Sequence, residues 1–314
     1  MKNYLKYQPA WVQLIMFISF TLIFSFIVGI LVPPAILNAY GLSFTDLSQF
    51  SKPNVIPAIK ILQTILSIIL FLVPPLLFAH ISDVRPLYYI GFRKPIPTYF
   101  LIIAIAIMLA AFPMVAWLGD LNQHMHLPKS WKGMENWIRK AETDSNTMLR
   151  HLLEMNSPKD LVAMLITLAV IPAIVEEFFF RGVLQRLFIQ ILKRPWAGII
   201  LTGIIFSAIH GQFLGFLPRA ALGIVLGALF WYSGSLWPGI LAHFVNNALQ
   251  IILVYYNPGA PDQEPNFTVG LVTASTLVVV GLIWWMGKIS QTSYAEVYDT
   301  DDDFPIGRRD QYTE

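Results

Sequence analysis

The chain contains no cysteine. That excludes disulfide staples, thiolate metal sites, a thiol nucleophile and a C-terminal prenylation motif of its own. Charge is also scarce. Asp, Glu, Lys and Arg make up 13% of its 314 residues, against about 25% in an ordinary soluble chain. The net charge of +2 comes with no basic cluster interleaved with aromatics, so nucleic acid is not an expected partner. Phosphate-binding glycine loops, dinucleotide fingerprints and His-Glu-x-x-His pairs are missing, as are the Asp-rich metal motifs of a prenyltransferase-like or lipid-handling enzyme. No repeat unit is visible.

What fills the chain instead is apolar: 56% of residues are hydrophobic, gathered in runs long enough to cross a bilayer. The expected fold is an all-α polytopic membrane protein with about eight transmembrane helices. The spans fall at about Trp11–Val32 (ending at Pro33-Pro34), Ile59–Ile81 (with Pro74-Pro75 inside), Tyr99–Leu118, Leu161–Ile189, Trp196–His210, Leu217–Tyr232, Leu236–Tyr256 and Val269–Met286. The weakly basic start, MKNYLKYQPAW, leads into the first run without a small-residue cleavage site, so that helix is expected to be retained.

Three regions follow: 1–157, three spans and a long polar, amphipathic loop; 158–290, a catalytic helix bundle; and 291–314, an acidic tail without periodicity, expected to be disordered. Lys2, Lys6, Arg85, Arg93, Lys94, Arg186, Lys193, Arg194 and Lys288 share one side when both termini are cytoplasmic. Lys52, Lys60 and Arg219 count against that orientation. The cell membrane is the default location. Within the long loop, Asp120–Asp160, the stretch Ser130–Met155 reads as an amphipathic helix whose Trp131 and Trp137 suit the membrane interface. Such a helix either rests on the bilayer or serves as a lid.

The organising stretch is Leu161–Ile189, which places Glu176, Glu177 and Arg181 inside an apolar helix. Charges there cost free energy and mark working sites by default. Glu177 and Arg181 are four apart and pair on one face, while Glu176 points about 100° away and stays free. A purely structural ion network is the bland alternative. Further along, His210 closes Phe206-Ser-Ala-Ile-His210, and His243 and Asn247 share a face of the seventh span, with Asn246 pointing elsewhere. His80, His124, His126 and His151 lie at span ends or in the polar loop and need no special role. By helical rise, Glu176 and His210 lie about 20 Å from the cytoplasmic ends of their helices, and His243 and Asn247 about 11 and 17 Å. Independent helices thus bring carboxylate, two imidazoles and an amide to one layer.

A carboxylate and a histidine can hold a water and take its proton. A second histidine with an amide can stabilise an oxyanion. Together they describe hydrolysis of an acyl bond, most simply a peptide, by direct attack of water. Glu176, His210 and His243 also make the two-histidine, one-glutamate set of a catalytic zinc with an open position. The residues leave both versions open.

Glu-Glu-xxx-Arg, Phe-xxx-His and His-xxx-Asn, in that order on the fourth, fifth and seventh spans, resemble the CPBP (CAAX protease and bacteriocin-processing, or Abi) intramembrane endopeptidases, which include the type II prenyl-protein proteases. The likeness runs from about Pro172 to Asn247. It implies Glu176 as the glutamate that activates water with His210, Glu177 and Arg181 as its supporting pair, and His243 and Asn247 as the oxyanion site. It implies a peptide or protein substrate, prenylated in part of the family, and either a glutamate or a metal mechanism. Two other readings are weighed against it. One is a proton-coupled transporter using Glu176, His210 and His243 as a relay, which lacks a matching charged helix in the first half. The other is a non-catalytic immunity or scaffold protein, disfavoured because unneeded polar groups are costly in lipid.

Overall fold

The computed structural model describes residues 5–92, 96–259 and 267–292. The acidic tail beyond Thr292 and the loop carrying Asp262 and Glu264 lie outside them. Among the described residues the regular structure is all helical. The principal helices are α1 (Ala10–Ala39), α2 (Val55–Ser82), α3 (Pro86–Ile90), α4 (Thr98–Gln123) and α5 (Lys132–Leu152). They are followed by α6 (Pro158–Leu192), α7 (Pro195–Ile209), α8 (Phe216–Ser233), α9 (Leu236–Tyr256) and α10 (Val269–Ile289).

Seven of these helices are long and apolar enough to cross a membrane, rather than eight. The shortfall is the expected fifth span, α7, whose 15 residues rise about 22 Å against a hydrocarbon core of about 30 Å. Its start is set sharply. Lys193 takes a left-handed backbone (φ 54°), Arg194 is extended, and Pro195 opens the next helix, as the steric bias before proline requires. α7 ends at His210, and the chain turns back through Gly211–Gly215 into α8. The first span also departs from expectation. It does not stop at Pro33-Pro34 but runs on to Ala39 with both prolines inside, as lipid-embedded helices tolerate when other groups re-satisfy the backbone. The loop helix forms as expected, and its Trp131 and Trp137 are exposed.

α6 is the centre of the bundle. Every residue from Glu177 to Leu187 is buried. Phe179 meets Phe17 of α1 at 4.9 Å and Phe71 of α2 at 5.3 Å between ring centroids, and Phe180 meets Phe206 of α7 at 4.9 Å. Two stretches of α6, Leu165–Val170 and Phe178–Gln185, are wound as π-helix. That wider winding is uncommon and tends to fall at functional sites; here the two stretches bracket Glu176 and Glu177.

The glycines of α8 allow the closest approach in the core. A Cβ on Gly223 would stand 2.9 Å from Gly203 Cα on α7, and one on Gly227 would stand 2.5 Å from Gln185 Oε1 on α6. The Gly223-xxx-Gly227 spacing therefore seats two helices at once.

Candidate active site

A cavity of about 670 Å³ opens between α4, α5, α6, α7, α8 and α9. Its polar end carries Glu176, His210, His243 and Asn247, the four residues that the sequence places in one layer. Its walls are mostly apolar, with Phe112, Val115, Leu149 and Leu222 among them. Glu177 and Arg181 do not line it. They lie behind it, both fully buried.

That second layer fixes the first. Arg181 Nη1 donates to Glu177 Oε1 at 2.8 Å, and its guanidinium lies over the Phe206 ring at 4.8 Å. His243 Nδ1 lies 3.1 Å from the same Glu177 oxygen. A carboxylate only accepts, so His243 donates from Nδ1 and its Nε2 is turned toward Glu176 Oε2, 3.9 Å away. Gly239, one turn before His243, keeps this corner open: a Cβ there would stand 3.0 Å from Glu177 Oε2.

His210 is ordered by its own helix end. Its Nδ1 lies 2.7 Å from the Phe206 carbonyl, an acceptor, so the proton sits on Nδ1 and Nε2 keeps a lone pair. The Phe206 ring packs against both imidazoles, at 5.0 Å from His210 and 5.9 Å from His243. Asn247 is held through α6. Its Nδ2 donates to the Leu168 carbonyl at 3.2 Å, the group whose α-helical donor would be residue 172, a proline without an N–H. Asn246 does not point away as expected. It also lines the cavity, and its Nδ2 donates to Asn247 Oδ1 at 3.0 Å. With one N–H on the Leu168 carbonyl and its Oδ1 taken by Asn246, Asn247 has one N–H left to offer.

The zinc version of the site meets a geometric test. Both imidazoles have Nδ1 tied to an acceptor and Nε2 available, as metal ligands do. Among the described residues, however, no group of three or more His, Cys, Asp or Glu side chains converges as a metal site requires.

One charged lining residue had no place in the sequence-based site. Arg219 on α8 faces the cavity, held through Nη2 to Gln212 Oε1 at 2.6 Å. A lone arginine within an apolar span was the available signal. In the sequence it registered only as a charge against the expected orientation.

Residues 158–249 match the family described as "Type II CAAX prenyl endopeptidase Rce1-like". YpbD of Bacillus subtilis (strain 168) is 30% identical over 89 residues, which cover 27% of this chain and 42% of YpbD, less than half of that relative. No solved structure matches the chain. Over the segment that carries Glu176, His210, His243 and Asn247, the chain is thus similar to the type II CAAX prenyl endopeptidase Rce1-like family.

Proposed function

We infer that this chain is an intramembrane endopeptidase that cuts peptide bonds of membrane-associated or prenylated peptides. The observation that carries the reading is the convergence of Glu176, His210, His243 and Asn247 on one cavity within the apolar helix bundle. Similarity to the Rce1-like family supports it.

In this mechanism Glu176 and the Nε2 lone pair of His210 hold a water and orient its oxygen toward the scissile carbonyl. The water attacks the carbonyl carbon while Glu176 takes its proton. The oxyanion so formed accepts from the remaining Asn247 N–H and from His243. With Nδ1 committed to Glu177, His243 donates from Nε2 only when the ring carries both protons. Glu177, on which Nδ1 rests, and the oxyanion itself balance that charge. Glu176 then returns its proton to the leaving amine as the C–N bond breaks. Each preorganised donor contributes about 2.7–4 kcal/mol to such a step. A divalent ion on Glu176, His210 and His243 is the competing way to activate the water.

Both termini are placed in the cytoplasm, with the cell membrane as the site. The basic residues near helix ends support this orientation. The short α7 does not disturb it, because α7 and α8 form a hairpin that returns to the side it left.

The test is cleavage of a prenylated C-terminal peptide and of unprenylated membrane peptides by purified protein in liposomes, with and without a strong chelator. Loss of cleavage by about 10²–10⁴-fold in Glu176→Gln and His210→Ala is expected, with wild-type activity surviving the chelator. Chelator-sensitive cleavage restored by zinc would select the metal route. Absence of cleavage by folded wild type would sink the reading.

A further inference from the structure

Arg219 is the one lysine or arginine on the cavity lining among the described residues. Three features define its setting. Its Nη2 is fixed by Gln212 Oε1 at 2.6 Å, so the fork is aimed rather than free. Gly215, also on the lining, makes room for it: a Cβ there would stand 3.2 Å from Nη2. Its Nη1 is buried and has no hydrogen-bond partner. A buried guanidinium N–H without an acceptor is costly, and guanidinium geometry matches a carboxylate.

The nearest acidic groups leave that donor open. Glu176 belongs to the site already described. Glu142 comes from the loop helix α5 and its charge acts on Arg219, but no hydrogen bond joins it to Nη1. Arg219 therefore lines the cavity with one buried guanidinium N–H unpaired, and its charge acts on Glu176.

Resting on the endopeptidase reading, we propose that Arg219 is a specificity-determining residue that binds a carboxylate of the substrate peptide, either its free C-terminus or an acidic side chain. The orphaned Nη1, the Gln212 tether and the space left by Gly215 together form the seat. A peptide so anchored has one end fixed, and its scissile bond is set at a defined distance from Glu176. The apolar walls take its side chains.

The experiment measures binding, so it does not require turnover. A dye-labelled apolar peptide with a free C-terminus, its C-terminal amide, and an amide carrying an internal aspartate are titrated onto protein in detergent. The protein is Glu176→Gln, alone and combined with Arg219→Gln or Arg219→Lys. With Arg219 present, a carboxylate peptide should bind about tenfold tighter than the plain amide, the scale of one charge-assisted hydrogen bond. Whichever carboxylate peptide gains identifies the source. The preference should vanish in Arg219→Gln and shrink in Arg219→Lys, which keeps the charge but not the fork; the lysine variant decides the matter if the glutamine variant does not fold. Equal binding of acid and amide with Arg219 in place would overturn the proposal, as would a preference undiminished in either variant. The two readings fail separately. Arg219-dependent binding without cleavage by wild type removes the endopeptidase and keeps the carboxylate seat. Cleavage without carboxylate preference does the reverse.

Discussion

Arg181 of α6 donates through Nη2 to the carbonyl of Gly223 on α8 at 2.8 Å, while its Nη1 holds Glu177 on its own helix at 2.8 Å. One turn on, Gln185 repeats the contact with the Gly227 carbonyl at 3.1 Å. Donors four apart on one helix meet carbonyls four apart on the other, because that spacing stays on one face. Glycine at both acceptor positions lets the side chains reach the backbone. The charged pair is thereby locked into the helix crossing that bears the site.

Removing the guanidinium should therefore cost much more than a surface charge. Arg181→Ala leaves the Glu177 carboxylate, at 0% exposure, with the His243 N–H as its remaining partner, and the expected loss is about 3–5 kcal/mol. Thermal unfolding in detergent reads it. Glu177→Gln removes the negative charge but keeps an acceptor for Arg181 and should be the milder change.

The α7–α8 crossing should be intolerant of a single methyl. Gly203→Ala puts a Cβ 2.7 Å from Ile224 Cγ1 and 2.9 Å from its backbone nitrogen, and overpacking costs about 1–3 kcal/mol. Because α7 delivers His210, activity should fall with stability. Gly29→Ala, with nothing within 4 Å of the new Cβ, is the control and should change little. Equal melting temperatures for the two variants would contradict the packing described for the crossing.

Asn247 has two separable tasks. Asn247→Ala removes the side-chain donor from the Leu168 carbonyl, at about 1–3 kcal/mol of stability, and removes an oxyanion donor, at about 10²–10³-fold in turnover. Asn247→Asp places an acceptor against that carbonyl and should destabilise more than alanine. An aspartate variant as stable as wild type would show that the Leu168 contact carries no weight.

The loop helix should dock in a pH-dependent way. Burial pushes the Glu142 carboxyl above its ordinary value of 4.5, against the hydrogen bonds from Leu214 and Phe213 and the charge of Arg219, which lower it. A raised carboxyl pKa means that the docked state binds the proton more tightly. Its contribution is complete below the ordinary value and is lost as pH rises through the raised one. Hydrogen exchange across α5, corrected for intrinsic rates, should show more protection at about pH 4 than at about pH 7. Glu142→Gln should flatten that difference, and an unchanged profile would remove Glu142 as its cause.

Much of the site was legible in the sequence because it rests on helical spacing. Glu177 and Arg181 pair, and His243 and Asn247 share a face, since residues four apart must do so on a helix. The apolar runs carry the membrane fold for the same local reason: a helix in lipid satisfies its own backbone. The depth estimate also brought Glu176, His210, His243 and Asn247 to one cavity, because rise per residue is nearly constant.

What depended on neighbours could be read only from the tertiary structure. Asn246 belongs to the lining because α6 offers Leu168 to Asn247, which turns the paired amides inward. The shortness of α7 follows from a break at Lys193 and a turn at Gly211, where local chain geometry ends a run whose hydrophobicity continues. The tautomers of His210 and His243 are set by partners on the Phe206 carbonyl and on Glu177, the second of which is 66 residues away. Arg219 is the clearest case. Composition marks it only as a charge in an apolar span, and its meaning comes from the cavity, the Gln212 tether and the unfilled Nη1. Helical periodicity along one chain determined which residues share a face; only the packing of separate helices decided what each face meets.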